Sequence, residues 1–234
     1  MIKHKGAFIK GLLLAVTFFI VLAVMFMPLF DGKNALEAAD NLFNSISKGS
    51  TDYIPDLVKK NQAFMGNQVD LNLKLKDAAM AQNAQKLLAS ADAKATQEAT
   101  QVALSGDLGK ILGSILNDSQ AMFHNKDADL EKKYGIPGKQ ALLVWWNVLK
   151  EMDKDLKRKN KFKEAAFVDT VIKRGVEVAY NFFQIAPQTA ASRMGILVFS
   201  LIFYVVYTLW WGIAVMYLFD GFGLEMKAGA KKEM

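Results

Sequence analysis

The chain has 234 residues, 52% of them apolar, with two histidines and no cysteine. The missing thiols exclude disulfides, Cys-based zinc sites, c-type haem attachment and acylation through sulfur. The formal net charge of +6 is no nucleic-acid signal: residues 31–193 hold 23 Lys and Arg against 20 Asp and Glu, and the remaining excess sits in short flanks of two apolar runs.

The first run, residues 11–30, GLLLAVTFFIVLAVMFMPLF, carries no charge. A bilayer core of about 30 Å takes about 20 apolar residues at about 1.5 Å each, so this run spans. It exceeds the roughly 7–15 residues of a signal-peptide core and ends without a small-x-small cleavage site, so it reads as an uncleaved anchor. Residues 194–219, MGILVFSLIFYVVYTLWWGIAVMYLF, form the second uncharged run, long enough to tilt or project past the lipid. Lys3, Lys5 and Lys10 flank the first run, and Lys227, Lys231 and Lys232 follow the second. The inner flanks carry only Lys33 and Arg193. The positive-inside rule then places residues 1–10 and 220–234 in the cytoplasm as tails of an inner (plasma) membrane protein, and residues 31–193 on the extracytoplasmic side.

The central block is rich in helix formers and poor in proline. In NALEAADNLFNSI, Asn34 caps a helix, with Glu37 three residues on and a face of Leu36, Leu42, Phe43 and Ile46. Lys48-Gly49-Ser50 ends it. A second helix is expected from DYIPDLV, with Pro55 in its first turn, to about Ser90. Inside it, QVDLNLKLKD alternates like a strand, but a lone strand would lack a partner, so the stretch reads as helix. ADAKATQEATQVAL reads as an alanine-rich continuation. Asp107 caps the next helix, whose stripe is Leu108, Ile111, Leu112, Ile115, Leu116, Met122 and Phe123. Gly109 and Gly113 on that helix leave room for close packing. HNKDADLEKKYGIPG reads as a loop or broken turn.

Two strong amphipathic helices follow. GKQALLVWWNVLKEMDKDLKRK presents Leu142, Trp145, Leu149, Met152 and Leu156, with Leu143 and Trp146 on the shoulder. KFKEAAFVDTVIKRGVEVAYNFF presents Ala165, Val168, Ile172, Ala179 and Phe183. QIAPQTAASR links this helix to the second span. The expected fold is therefore all-α: two transmembrane helices flanking one extracytoplasmic helical-bundle domain.

All four tryptophans lie in two adjacent pairs. Neighbouring helical residues point about 100° apart, so Trp145 and Trp146 read as core and shoulder packing, and an exposed Trp146 would instead be a partner anchor. In the second span, Tyr204, Tyr207 and Trp211 share one face, and Phe203 and Trp210 lie on a neighbouring one. Such an aromatic coat suits protein packing, a partner helix, or a flat lipid-soluble ligand such as a quinone or pigment. The turn KDLKRKNKFK gathers Lys154, Lys157, Arg158, Lys159, Lys161 and Lys163, a solvated hairpin tip or a dock for an acidic partner.

Neither span carries the internal ionisable group that an ion or proton path needs. HNKDADLEKKYG has alternating acids but lacks the glycine and the terminal glutamate of a calcium loop. His124 has no evident second ligand, so no metal or haem site is expected. No phosphate loop and no nucleophile with a base stands out, so neither an enzyme nor a cofactor is expected. The expected function is a non-catalytic subunit or scaffold of a membrane complex, in contact with lipid and with other subunits or itself. The expected contacts are Phe203, Tyr204, Tyr207, Trp210, Trp211, Trp146, Lys157, Arg158 and Lys161. Ligand sensing through a partner and a homo-oligomeric channel or transport accessory are the alternatives.

Overall fold

The first apolar run folds as α1 (Lys5–Met25), a helix with mean hydropathy 2.5 over its best window and few buried residues. The structure, a computed structural model, describes residues 2–224, so Lys227, Lys231 and Lys232 lie outside the described residues. It divides into two units, one from Met1–Ile46 and Gln188–Met234, the other Ser47–Pro187. A short turn leads to α2 (Ala35–Lys48), where the Asn34 side chain accepts the Glu37 N–H at 2.9 Å and Glu37 returns the bond to the Asn34 N–H at 3.2 Å. This is the reciprocal cap that the sequence predicts. The predicted apolar face is largely uncovered: Leu36 and Phe43 are exposed, and Leu42 and Ile46 are half-buried.

In the second unit the helix expected from residue 52 to 90 is interrupted. The helix α3 (Ile54–Asn61) ends in a tight turn, and the next segment is a strand, β1 (Gln68–Lys74). After α4 (Ala78–Ala89), the alanine-rich stretch folds as β2 (Lys94–Glu98) and β3 (Gln101–Asp107), joined by a two-residue turn with Ala99 at φ 53°. The sheet order is β1-β3-β2, antiparallel throughout, with Gln68 opposite Asp107 and Lys74 opposite Gln101. The all-helical expectation is corrected here: the domain is mostly helical but carries a three-stranded sheet. The alternation in QVDLNLKL is a real strand period. It buries Val69, Leu71 and Leu73 and exposes Gln68, Asp70 and Asn72. Its partner is 27 residues and more away in sequence, in a stretch whose local preference is helical, and pairing overrides that preference.

Asp107 ends β3 and caps α5 (Leu108–Phe123), accepting the Lys110 N–H at 3.1 Å. The whole predicted α5 stripe is buried. A Cβ on Gly109 would stand 2.6 Å from the Met65 backbone nitrogen, so this glycine is required by the close approach of the turn after α3. The expected loop after α5 instead contains α6 (Asp127–Tyr134), ended by Gly135 in the left-handed region. α7 (Gly138–Arg158) buries Leu142, Trp145, Leu149, Met152 and Leu156 as its spacing predicts. The last predicted helix is continuous but not uniform. It runs as α8 (Phe162–Val171), a π turn (Ile172–Val176) and α9 (Glu177–Asn181). These elements close one apolar core on the inner face of the sheet and the inward sides of α3–α9.

The chain then returns to the first unit through α10 (Met194–Phe222), whose best window has mean hydropathy 2.0. Both α1 and α10 are long and apolar enough to cross a membrane. They pair antiparallel, Phe8 meeting Gly221 and Gly11 meeting Leu218. A Cβ on Gly11 would stand 2.7 Å from the Leu218 nitrogen, and one on Gly221 would stand 2.7 Å from the Phe8 Cα. Small residues thus let the two backbones touch.

Candidate functional site

Three places in the chain carry the predicted contact residues, and the structure treats them differently. In the membrane-length hairpin, Tyr207 stacks on Phe18 with ring centroids 4.1 Å apart, and Trp211 lies 4.8 Å from the same ring. The Tyr207 hydroxyl donates to the Phe18 carbonyl at 3.2 Å, and the Trp210 Nε1–H donates to the Leu14 carbonyl at 3.1 Å. These three aromatics therefore zip α10 to α1, each hydrogen bond using a helix carbonyl's second lone pair. Phe203 continues the stack, 5.3 Å from the Tyr207 ring. Tyr204 stands apart. It is 68% exposed, and its hydroxyl makes no hydrogen bond among the described residues. One turn on, the Thr208 hydroxyl is satisfied by the Tyr204 carbonyl at 2.7 Å. One further turn on, Gly212 has no atom within 4 Å of where a Cβ would stand. Tyr204, Thr208 and Gly212 form one unpacked row at i, i+4 and i+8.

At the basic turn, Lys157, Arg158 and Lys161 each have an oxygen partner inside their own unit. Lys157 pairs with Asp153 at 2.7 Å, and Arg158 pairs with Asp155 at 3.0 Å. Lys161 donates to the Gln68 carbonyl at 3.2 Å, and Lys159 donates to the Asp70 carbonyl. The Asp155 carboxylate, 4% exposed, accepts the Asn72 N–H at 2.9 Å. Gln68, Asp70 and Asn72 point their backbone groups away from β3, along the outer edge of the sheet. The end of α7 thus covers that edge with carboxylate and ammonium groups, which blocks pairing with another strand.

The first tryptophan pair divides. Trp145 is fully buried, and its Nε1–H donates to Asp118 at 2.8 Å. Asp118 also accepts the Tyr134 hydroxyl at 2.5 Å and the Lys133 ammonium at 2.9 Å, so its buried charge is met by three donors from α6 and α7. Burial first, then the Asp118 charge, pushes the Tyr134 hydroxyl pKa up. Burial pulls the Lys133 ammonium down, but its bonds to Tyr134 and Asp118 outweigh that and leave it raised.

Trp146 is half-buried and walls an apolar cavity of about 220 Å³ between α7 and the π turn with α9. Leu142, Leu143, Val176 and Tyr180 supply the rest of the apolar wall. Glu177 fixes the indole, accepting its Nε1–H at 2.8 Å. The Lys150 ammonium lies 5.2 Å from the Trp146 ring centroid, and the Lys139 ammonium lies 4.7 Å from that of Tyr180. Lys139, Leu142, Leu143, Trp146 and Lys150 lie on one stripe of α7, and of these Leu142, Leu143 and Trp146 are the ones that the apolar spacing of the sequence picks out. Glu177 and Tyr180 are not picked out, because the π turn shifts the register of the facing wall by one residue. π turns concentrate at functional sites.

A fourth polar centre joins the two ends of the second unit. Lys48 is 3% exposed, and its ammonium donates to the carbonyls of Ile185 at 2.7 Å and Phe182 at 2.9 Å and to Asn125 Oδ1 at 3.2 Å. Asn125, at φ 61°, also accepts the Gln184 N–H at 2.8 Å. Lys48 thus ties the segment entering the unit to the segment leaving it. Burial lowers its pKa, and no carboxylate among the described residues pairs with it.

Among the described residues, no three His, Asp or Glu side chains converge as metal ligands would. Comparison with protein-family models, curated proteins and solved structures gives no match.

Proposed function

We propose that this protein is a non-catalytic, membrane-anchored subunit of a larger membrane assembly, docking a partner helix on the Tyr204–Thr208–Gly212 row of α10. The observation that carries the reading is the Tyr204 hydroxyl. Along an apolar helix a phenol without a partner is costly in lipid, and a neighbouring helix supplies the acceptor. Gly212, two turns on, offers the close approach that such a helix needs. The lysine-rich flanks support cytoplasmic termini in a plasma or inner membrane, with Ser47–Pro187 presented on the extracytoplasmic side. Ligand sensing through the same partner is the second reading, favoured by the cavity beside Trp146.

The test is mild extraction from native membranes, followed by native electrophoresis and mass spectrometry of co-migrating chains, for the wild type and for Gly212→Leu. The wild type is expected in a heavy species of fixed composition. Gly212→Leu meets nothing within the hairpin and is expected to release the partner while the protein itself stays folded. A wild-type protein that migrates alone, or a Gly212→Leu variant that keeps every partner, overturns the docking row.

A further inference from the structure

We infer that the groove between α7 and α9 is a binding site for a small aromatic carboxylate. The inference goes beyond the docking role and does not depend on it.

Shape comes first. The cavity, about 220 Å³, is bounded almost wholly by apolar side chains. That is room for one or two fused rings with a short side arm, and too little for a lipid chain or a whole helix. The Trp146 indole offers a flat wall whose orientation is held by Glu177 at 2.8 Å, so an incoming ring meets a preorganised surface. Offset stacking or edge contact on Trp146 and Tyr180 is the natural mode for such a ring.

Charge decides the class. An aromatic pocket with a carboxylate also suits a cationic ligand, but both rings already have a lysine ammonium above them. A cationic ligand would displace a lysine or be repelled by it. An anionic ligand would instead meet two ammonium groups that make no salt bridge among the described residues. Of the two ends, the Lys139 end is the one away from Glu177, whose carboxylate sits at Trp146. Lys139 and Trp146 are seven residues apart on α7, about 10 Å of helix rise. Asn181, beside Tyr180, lines that end and adds an amide donor. The ring therefore lies against Trp146, Leu143 and Val176, and the carboxylate reaches Lys139 and Asn181.

The experiment uses the full chain in lipid nanodiscs, titrated by calorimetry and by ligand-observed NMR. The probes are indole-3-acetate and 3-phenylpropionate, with neutral indole-3-acetamide and cationic tryptamine beside them. The carboxylates are expected to saturate a single site at about millimolar or lower concentration, with the amide and the amine about tenfold weaker. Lys139→Met is expected to remove the carboxylate's advantage and leave the amide unchanged. Leu143→Asp, at a 43% exposed rim position, is expected to abolish binding of both carboxylates. An unchanged melting curve for these two surface variants separates loss of the site from loss of the fold. The inference is overturned by no saturable binding of either carboxylate, by equal binding of all three head groups, or by carboxylate affinity unaffected in both variants. None of these outcomes touches α10, so the docking reading stands or falls separately.

Discussion

The membrane-length hairpin and the central domain use tryptophan in the same dipeptide and obtain opposite things from it. In the domain, Trp145 disappears into a core built by removing apolar surface from water, and its one polar atom is met by a buried carboxylate. In the hairpin, Trp210 and Trp211 stay partly uncovered and act on the neighbouring helix, Trp210 through a bond to a backbone carbonyl and Trp211 through contact with Phe18. Water drives Trp145 inward. Between helices that cross a bilayer, lipid is as apolar as the side chains and supplies no such drive. Contact between α1 and α10 must come from close backbone approach, aromatic packing and the few available hydrogen bonds.

The strongest test of the domain half of that contrast is Trp145→Ala. It removes a fully buried ring and leaves Asp118 with one donor fewer, so a loss of about 4 kcal/mol in thermal or denaturant unfolding is expected. A loss below about 1 kcal/mol would mean that the site relaxes like a surface. On the hairpin side, Gly11→Leu is the sharper probe. Its Cβ would stand 2.7 Å from the Leu218 backbone, and a destabilisation of about 2 kcal/mol is expected for reversible unfolding in mixed micelles. Gly212→Leu on the open row should leave the same curve unmoved. Equal effects of the two substitutions would break the picture of one packed and one unpacked glycine row. The smallest expected effect is a pH dependence confined to the domain. The folded state holds the Tyr134 proton above its ordinary value of 10.0, so more protons are bound folded than unfolded in that range. Stability from this group is therefore fully present below pH 10.0 and is lost as pH rises through the folded value. Alkaline unfolding followed at 295 nm should show a steeper fall for wild type than for Tyr134→Phe.

The site residues read from sequence are sorted by structure into different roles. Tyr207 and Trp210 each donate to a carbonyl of α1, whereas the Tyr204 hydroxyl, on the same helix, has no hydrogen-bond partner among the described residues. Helix periodicity puts Tyr204, Tyr207 and Trp211 roughly on one side, and nothing in the sequence says where α1 lies around α10. Lys157, Arg158 and Lys161 form a charge cluster in sequence, while their oxygens come from α7 itself and from a strand about 90 residues away. The other two strands of its sheet are the part of the fold least visible in the sequence. β1 has the right alternation, but β2 and β3 are rich in alanine and glutamine and lack the β-branched and aromatic run that announces a strand.

What the sequence determined by itself is whatever depends on the chemistry of one segment at a time. The two uncharged runs set the membrane-length helices, and the spacing of apolar residues set the buried faces of α5, α7 and α8. Local hydrogen-bond chemistry set the caps at Asn34 and Asp107. What only the tertiary structure decided is whatever needs two distant segments at once. The sheet needs β1 beside β3, the Trp146 groove needs a π turn facing α7, and the free row on α10 is defined by which side α1 occupies. Local preferences are worth tenths of a kcal/mol per residue, about 1 at most outside proline, so pairing and packing between remote segments override them.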